Sequence, residues 1–430
     1  MRGARCRTSI SARASRGALV LASLLALASS AAASRTVAPR TEAGGNELVV
    51  GAVLDLSAGW TSLGRASRVT LRLAVADANA ALARSGSQMR VRLRILDTRG
   101  APAGAVRAVR TLEREGVRVA IGPQTSSGVK AVRNIVRRLG VVVVSQGSTA
   151  HSLAIAGDNV FRFVPDDIRE GEALVALLRR GRIDGIVPVW RRDPGNAGLA
   201  VSVRRHFKAA GGKVANGVPY GESTKAFSVV ASSLAAQVAA LRAAGARRVG
   251  VYLAGFDEVV DLFRAARLNP ALQSLPWYGS DGVALTTRLV RDPVAAAFAH
   301  DVGYPNPTVG LPDAVLRRAR PLIARVRARL GREPDAFALT AYDALRIAVD
   351  ARQRAGTDAA SSLRRALVAA ANAHVGVTGK MALNRAGDRA YGSYDFWSVC
   401  PAGRAFAWKR TFTYAATSVG RGRIAIRSRC

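Results

Sequence analysis

Cysteine and histidine are scarce in this sequence. Among 430 residues there are only three cysteines and four histidines. No two cysteines form a Cys-x-x-Cys pair, and His151, His206, His300 and His374 are far apart without ligand spacing. A zinc site of the usual kind depends on such spacing. We therefore expect no metal site.

The sequence also lacks an apolar run long enough to span a bilayer comfortably. Its start, "MRGARCRTSISARASRG", is basic, and the following "ALVLASLLALASSAAAS" is apolar and ends in small residues. This order is typical of a secretory signal peptide. We predict a signal peptide over residues 1–34, cleaved near Ala33, and a flexible segment over 35–46; the alternative is an uncleaved membrane anchor. We expect an exported protein, located in the periplasm or in the extracellular space and cell envelope. Because Cys6 precedes the apolar run, we expect no lipid anchor.

Acidic and aromatic residues are few. Lysine and arginine number 64 against 29 acidic residues, a formal charge of +35, and aromatics make up 6% of the chain. The arginines are scattered over helix faces, whereas nucleic-acid-binding proteins concentrate charge in a stripe with interleaved aromatics. We expect a solvated basic surface and no nucleic-acid partner, with loose association with an anionic envelope as a further consequence of the charge.

From Leu48 onward, short apolar segments alternate with helical patterns. A first region runs from "ELVVGAVLDL" to "VVVVSQ", and a second from "IREGEALVALLRRG" to "LPWYGSDG". Buried strands alternating with helices predict parallel sheets covered on both faces. We predict two doubly wound α/β units with a boundary near Pro165. The turn-rich residues 304–313 follow, then two long helices and an alternating tail.

Sequence motifs for catalysis and cofactor binding are missing. No Gly-x-Ser-x-Gly elbow occurs, and no Gly-x-Gly-x-x-Gly follows the first strand. In "GPQTSSGVK" the spacing of a phosphate loop fails, since Val129 separates Gly128 from Lys130. We expect no cofactor and no enzyme; a serine hydrolase using Ser126 is the remaining catalytic alternative.

Two strand-to-helix turns in the first unit carry hydroxyl groups. They hold Thr125, Ser126 and Ser127 in "PQTSSG", and Gly147, Ser148 and Thr149 in "SQGSTA". Free N–H groups and the dipole at a helix start favour an anion such as a carboxylate. The alternative is helix capping alone, for which Ser and Thr are preferred.

The second unit offers an acidic turn. In "YGSDG", Asp281 follows a strand and could bind the ammonium group of an amino acid, or simply form an Asx turn. Phe256 lies in another turn at this edge, and Trp60 and Leu63 lie in the first turn of the chain. These three side chains could wall an apolar pocket or pack on their own domain.

With these segments in view, the chain resembles the branched-chain amino-acid-binding proteins, the type I solute-binding proteins of ABC importers. The resemblance starts at "VVGAVLDLSAGWTSLGRASRVTLRLAVADANA". It continues in order through "GVRVAIGPQTSSGVKAV", "VVVVSQGSTAHSLA", "NVFRFVPDDIREGEAL" and "AFALTAYDALRIAVDA". It covers nearly everything after Leu48.

The resemblance implies two lobes that are joined by a three-segment hinge and close over a ligand. The N-terminal lobe would be residues 47–164 plus 304–385, and the C-terminal lobe 165–303 plus 386–430. The ligand would be a small amino acid or related carboxylate, delivered to an ABC transporter permease by a monomeric protein. A sensor for a signalling partner is the alternative that the same fold allows.

The resemblance also implies residue roles. Ser126, with Gly147 and Thr149, would hold the ligand carboxylate, and Asp281 the ammonium. Phe256 stands where many members have Tyr, which removes one polar contact. Pro194-Gly195 replaces a Tyr-Gly pair, so Asp193 or Asn196 would take over that contact.

Two cysteines, Cys400 and Cys430, remain after signal cleavage. In an exported protein they could form one disulfide that ties down the C-terminal tail, or remain separate.

Overall fold

The computed structural model of the protein describes residues 46–57, 60–418 and 421–430. The predicted signal peptide, residues 1–34, lies outside the described residues, as does the predicted flexible segment except for its last residue. Within the described ranges, no helix is both long and apolar enough to cross a membrane.

Strands and helices alternate through most of the described chain. The strands are β1 (Glu47–Leu54), β2 (Arg90–Asp97), β3 (Val119–Ile121), β4 (Val142–Ser145), β5 (Val160–Pro165), β6 (Gly185–Arg191), β7 (Lys213–Val214), β8 (Val218–Tyr220), β9 (Val249–Ala254), β10 (Trp277–Tyr278), β11 (Asn306–Val309), β12 (Val375–Gly376), β13 (Gly379–Lys380), β14 (Asp388–Arg389), β15 (Tyr394–Ala402), β16 (Ala405–Ser418) and β17 (Arg421–Ile426). The helices are α1 (Thr61–Arg84), α2 (Pro102–Arg114), α3 (Ser126–Leu139), α4 (Asp167–Arg180), α5 (Pro194–Ala209), α6 (Phe227–Ala243), α7 (Val259–Ala266), α8 (Pro270–Gln273), α9 (Thr287–Arg291), α10 (Pro293–Asp301), α11 (Asp313–Leu330), α12 (Ala336–Ala355) and α13 (Ala360–Ala373), with a single 3-10 turn at His151–Leu153.

The first parallel sheet has the strand order β14-β5-β4-β3-β1-β2. Helices cover both of its faces. Successive side chains of a strand point to opposite sides, and here both sides carry apolar side chains that the helices bury. In β4, Val142 and Val144 pack into the core shared with α1, α12 and α13, whereas Val143 packs into the core under α2 and α3. This is why the "VVVV" run has no polar alternation.

The second parallel sheet has the order β10-β9-β6-β7, with β8 also paired to β6. Helices α4 and α5 pack on one face, where Leu174 and Leu199 join one core. Helices α6, α7 and α10 pack on the other face around Trp277, Phe263 and Phe298. Parallel pairing and helices on both faces confirm the predicted α/β fold class.

A third sheet is antiparallel, with the order β11-β15-β16-β17. Its first strand, Asn306–Val309, lies inside the segment that the sequence presented as turn-rich, and it forms because β15 pairs with it. Phe396 and Tyr414 of this sheet pack into the core of α4 and α5. A disulfide joins Cys400 to Cys430 across the end of the sheet, with their Cα atoms 5.1 Å apart.

The chain passes between these sheets three times. It leaves the first parallel sheet after β5, returns to helices on that sheet after β11, and leaves it again after β14. The turns that follow β1, β3 and β4 thereby meet the turns that follow β6, β9 and β10.

Candidate functional site

A small cavity lies where the strand-to-helix turns of the two parallel sheets meet. It is lined by Trp60, Ser126, Gly147 and Thr149 from the first sheet's side and by Gly195, Asn196, Leu199, Phe256 and Asp281 from the second. All of these residues follow the carboxyl ends of parallel strands, the usual place for a ligand in an open α/β sheet.

Helix α3 starts in the "PQTSSG" turn, where the hydroxyl groups of Thr125 and Ser126 make different hydrogen bonds. Thr125 is the N-cap, and its side chain accepts a hydrogen bond from the backbone N–H of Gly128 at 3.3 Å. The Ser126 hydroxyl lies 3.0 Å from the Ser148 hydroxyl and accepts from the N–H of Ala150 at 3.3 Å. Ser126 therefore joins the two hydroxyl-bearing turns, while capping belongs to Thr125.

The turn after β4 presents Gly147 and Thr149 to the cavity. A Cβ atom on Gly147 would lie 2.9 Å from the carbonyl oxygen of Gln124 and 3.5 Å from the Trp60 ring. Only a residue without a side chain fits this spacing. Ser145 stabilises the turn from below, since its hydroxyl donates to Pro123 O and accepts from Ser148 N.

Helix α5 begins opposite this turn. Its N-cap Asp193 accepts hydrogen bonds from the N–H groups of Gly195 and Asn196, each at 3.0 Å, and from the side-chain amide of Asn196 at 2.7 Å. The other amide atom, Asn196 Oδ1, is buried without a hydrogen-bond partner. A Cβ on Gly195 would lie 3.4 Å from the Ser126 hydroxyl. The start of α5 is thus in direct proximity to the start of α3.

Aromatic side chains close one wall of the cavity. The Trp60 ring lies 4.8 Å from that of Phe256 and 5.1 Å from that of Phe337, measured between centroids. Trp60 is only 2% exposed. Arg191 lies over the outer face of Phe256, 4.8 Å from its centroid, and is held there by carboxylates that include Asp193 at 3.1 Å. Such stacking is attractive for a guanidinium.

Because Trp60 occupies this space, little room remains in the cavity. The cavity volume is about 10 Å³, which leaves room for about one water molecule. In this arrangement the cavity is closed around its own side chains.

Three carboxyl groups are buried at the second sheet's side. Asp281 lines the cavity, and its N–H donates to Glu170 Oε1 at 3.2 Å. Asp281 and Glu170 also share a hydrogen bond between their side chains, and Asp167 lies close enough to both to interact electrostatically. A carboxyl–carboxyl hydrogen bond requires a proton on one partner, since two adjacent carboxylates repel.

Burial sets the protonation of this cluster. Desolvation raises the pKa of Asp281 to about 7. Desolvation, followed by the neighbouring Asp281 and Asp167, raises the pKa of Glu170 well above its ordinary value. Desolvation likewise raises the pKa of Asp167. Asp281, which lines the cavity, therefore has a pKa near neutral pH.

Comparisons with known proteins show the family to which the chain belongs. The family model described as "Periplasmic binding protein" matches residues 47–400. The chain belongs to the periplasmic binding protein family.

This periplasmic binding protein is similar in sequence to one curated protein and in fold to several solved structures. It is 25% identical to an uncharacterized protein of Methanocaldococcus jannaschii over 398 residues, which is 88% of this chain and 92% of the relative. Its fold matches that of a leucine binding protein, LivK, from Thermotoga maritima, with a TM-score of 0.71, 20% identity, and 84% and 97% of the two chains covered.

Two further solved structures were determined with ligands. One is a branched-chain amino acid transporter substrate binding protein, LivJ, from Streptococcus pneumoniae in complex with isoleucine, with a TM-score of 0.70, 19% identity, and 85% and 99% of the chains covered. The other is a solute binding protein from R. palustris in complex with benzoate, with a TM-score of 0.66, 18% identity, and 85% and 96% covered. These likenesses show the type I periplasmic binding protein fold.

The structure brings many of the residues singled out from the sequence to one cavity. Those that line it are Trp60, Ser126, Gly147, Thr149, Asn196, Phe256 and Asp281. Four others lie behind the lining: Ser148 bonds Ser126, Asp193 caps α5, Leu63 packs beneath the aromatic wall, and Ser127 is half-buried on α3.

Sequence reasoning missed Leu199, Gly195 and the buried carboxyl groups of Asp167 and Glu170. In "PDDIREGEAL" these acids have the pattern of ordinary first-turn residues of a helix. Asp167 is buried against Gly198 of the next helix, α5, and Glu170 is buried against the Asp281 turn, 111 positions away. Within the described residues, no group of three or more His, Cys, Asp or Glu side chains is placed to hold a metal.

Proposed function

We propose that this periplasmic binding protein captures a small amino acid or related carboxylate between two lobes and delivers it to the permease of an ABC importer. The lobes are residues 47–164 plus 304–385 and residues 165–303 plus 386–430. The proposal rests on one observation: the polar groups on the two sides of the cavity are of opposite kind.

Hydrogen-bond donors lie on the first sheet's side. Ser126 and Thr149 line the cavity there, next to the start of α3, whose first N–H groups have no helical partner. The Thr149 hydroxyl also bonds the Asp167 carboxyl. A carboxylate accepts hydrogen bonds and is favoured at a helix start. This side suits the acid group of an amino acid.

Acceptors lie on the second sheet's side. The Asp281 carboxyl and the unpartnered Asn196 Oδ1 both belong to residues that line the cavity. A buried acceptor without a donor costs about 1–3 kcal/mol, which a ligand ammonium would recover. A ligand that carries both groups therefore contacts both lobes, which is the condition for closure driven by binding.

The ligand's side chain is limited by Trp60. With the indole in place, the cavity has no room for a branched side chain. A ligand of the size of glycine or alanine requires a smaller displacement of Trp60 than a leucine-sized ligand, for which the ring must leave its contacts with Phe256 and Phe337. We therefore infer a preference for small ligands.

A thermal-shift screen of residues 35–430 tests the proposal. The panel holds glycine, alanine, leucine, short-chain acids, amides and aromatic acids. Ligand at a hundred times its dissociation constant stabilises the folded state by roughly 2.7 kcal/mol. A selective increase in melting temperature with small amino acids or carboxylates supports the proposal. If no compound of the panel changes the melting temperature, the proposal is contradicted.

The absence of catalysis is part of the proposal. Ser126 Oγ is hydrogen-bonded to Ser148 and Ala150, and within the described residues no histidine is bonded to it. Without a base, a serine hydroxyl is a weak nucleophile. A fluorophosphonate probe should leave Ser126 unlabelled, and stoichiometric labelling would favour a hydrolase instead.

Two properties of the whole protein complete the proposal. The formal charge is +35 for the full chain and about +30 without the five arginines of the predicted signal peptide, and it gives loose, salt-sensitive association with an anionic envelope. The protein acts as a monomer. Co-sedimentation with anionic vesicles at low and high salt, and gel filtration with light scattering, test the two statements separately.

A further inference from the structure

A second, larger cavity lies away from the candidate site. Its volume is about 280 Å³, and it shares no lining residue with the small cavity around Asp281. Helix α11 and the start of α12 form one wall, and a face of the antiparallel sheet forms the other. We call it the α11 cavity. Its size is near the lower end of the range for small-molecule sites, about 300–1,000 Å³.

The sheet wall follows from strand register. Thr308 of β11 pairs with Asp395 of β15, and Trp397 pairs with Arg410 of β16. Asp395 and Trp397 are two positions apart, so they point to the same side, and all four residues line the cavity. Phe396, between them, points into the core of the second sheet.

The opposite wall is apolar. Leu316 and Ile323 of α11 and Leu339 of α12 line it, and the first two are only partly buried although they are large apolar side chains. Together with Trp397 of the sheet wall, these side chains form an apolar surface inside the cavity, which we call the apolar floor and which an aliphatic or aromatic group can cover. Such burial contributes about 25 cal/mol per Å² of apolar surface.

The charge of the lining is unbalanced. Three arginines line the cavity against two carboxylates. Arg327 is paired with Glu333, and Arg410 lies 3.3 Å from Asp395. Arg320 is exposed, and no carboxylate of the described residues lies within ion-pair distance of it. One guanidinium at the rim is therefore available to an anion.

A buried hydroxyl also lacks a partner. Thr308 is 2% exposed and lines the cavity, and its Oγ1 makes no hydrogen bond. A buried hydroxyl without a partner costs free energy that valine at the same position would avoid. A ligand oxygen in the cavity would satisfy it.

We propose that the α11 cavity binds a medium-chain amphipathic carboxylate, with its apolar tail on Leu316, Ile323 and Trp397 and its carboxylate held by Arg320 and the Thr308 hydroxyl. The apolar floor selects the tail, and the unpaired guanidinium selects a negative head group. This site is independent of solute capture at Asp281.

Calorimetric titration of residues 35–430 with decanoate, below its micellar concentration, tests the proposal. Decanol and decyltrimethylammonium are the matched neutral and cationic probes. Saturable 1:1 binding of decanoate, at least tenfold tighter than that of either probe, supports it. Absence of saturable decanoate binding, or equal binding of all three, overturns it.

Variants separate this site from general charge attraction. Arg320→Gln should weaken decanoate binding at least tenfold. Arg317 is also exposed and lies on the same helix, but outside the cavity lining, so Arg317→Gln should leave decanoate binding unchanged. Equal weakening by both variants would mean attraction to the basic surface as a whole and would overturn the proposal.

Thr308→Val gives a second, independent readout. It should weaken decanoate binding severalfold while the melting temperature stays level or rises, since an unpaired buried hydroxyl is removed. A purely structural threonine would lower the melting temperature and leave decanoate binding intact. Asp281→Asn should not affect decanoate binding, so this site and the solute site can fail separately.

Discussion

The indole N–H of Trp60 donates a hydrogen bond to the carbonyl oxygen of Gly282 at 2.8 Å. The two residues are 222 positions apart. Trp60 precedes α1, which packs on the first parallel sheet, and Gly282 follows Asp281 beyond the second. One side chain therefore fills the candidate cavity and also connects the two sides that a ligand would have to bridge.

Replacing Trp60 by alanine should change ligand size preference. Without ligand, the loss of a buried indole should destabilise the protein by about 3–5 kcal/mol. The space released should let leucine or isoleucine produce a thermal shift at least as large as that of alanine. Calorimetry of Trp60→Ala with alanine and leucine measures the change in preference.

Trp277 provides the matched control for Trp60. Its indole N–H donates to Leu272 O at 3.1 Å, also in a buried setting, but within the core of the second sheet. Trp277→Phe should lower stability and leave the ligand profile unchanged. If Trp60→Ala also kept the original profile, Trp60 would be a packing residue without influence on the ligand.

Ser126 and Thr125 should separate ligand binding from helix capping. Thr125→Ala removes the cap of α3 and should cost about 1 kcal/mol of stability without weakening ligand binding. Ser126→Ala should weaken a carboxylate ligand by roughly 10- to 100-fold, the value of a hydrogen bond to a charged group. Urea unfolding and calorimetry of both variants give the comparison, and a reversed pattern would assign the ligand contact to Thr125.

The fold could be predicted in large part from local patterns. The runs "ELVVGAVLDL" and "VVVVSQ" are strands because both faces of a parallel sheet are buried, and this burial is visible as a lack of polar residues. The strand Asn306–Val309 was not predictable in this way. Its sequence "NPTV" is short and contains proline, and it becomes a strand only through pairing with β15.

The site was predictable where a residue type suits a turn, and not where burial comes from distant segments. Ser126 and Asp281 could be found because strand ends carry ligands in this class of fold. The burial of Glu170 against Asp281 depends on a contact across 111 positions, which no local pattern contains. The position of Trp60 inside the cavity likewise depends on tertiary contacts, such as its hydrogen bond to Gly282.

The disulfide should stabilise the C-terminal sheet. It links Cys400 to Cys430, which are 30 positions apart in the sequence. A loop of this length restricts the unfolded chain enough to stabilise the protein by about 3–4 kcal/mol. Urea unfolding of the Cys400→Ser/Cys430→Ser double variant should show this loss, and the wild-type protein in reducing buffer should show the same loss.

Asp281 should make amine recognition depend on pH. Its pKa in the free protein is raised to about 7 by burial, and an ammonium group binds its ionised form. Affinity for alanine should be full above pH 7 and fall by up to tenfold per unit below it. Propionate, which lacks the ammonium, should not lose affinity over this range through Asp281.

The Asp281→Asn variant completes that test. It should bind alanine at least tenfold more weakly than wild type at pH 8 and lose the pH dependence, while propionate is affected less. Calorimetry at pH 5.5, 7 and 8 gives all values. Wild-type affinity for alanine in Asp281→Asn would remove Asp281 from ammonium binding.

Buried acids should make the ligand-free protein less stable as pH rises from 4 to 7. Burial raises the pKa of Asp55 from 3.8 to about 6, and that of Asp257 likewise. Between these values the folded state holds more protons than the unfolded state, so the free energy of unfolding falls with rising pH. The contribution of Asp55 is fully present below pH 3.8 and is lost once pH exceeds 6, a change of about 3 kcal/mol.

Asp55 and Asp97 form a matched pair for this measurement. Asp55→Asn keeps a neutral group next to Thr98 and should flatten the change in stability between pH 5 and 7.5. Hydrogen bonds from Leu56, Ser57 and Arg99 lower the pKa of Asp97 against its desolvation, so its stabilisation is lost only below pH 4. Because the negative charge of Asp97 also helps to raise the pKa of Asp55, Asp97→Asn should lower stability at both pH values and reduce the slope only in part. Unfolding in urea at pH 5 and 7.5 decides the point, and a wild-type slope in Asp55→Asn would show that Asp55 is ionised in the folded protein.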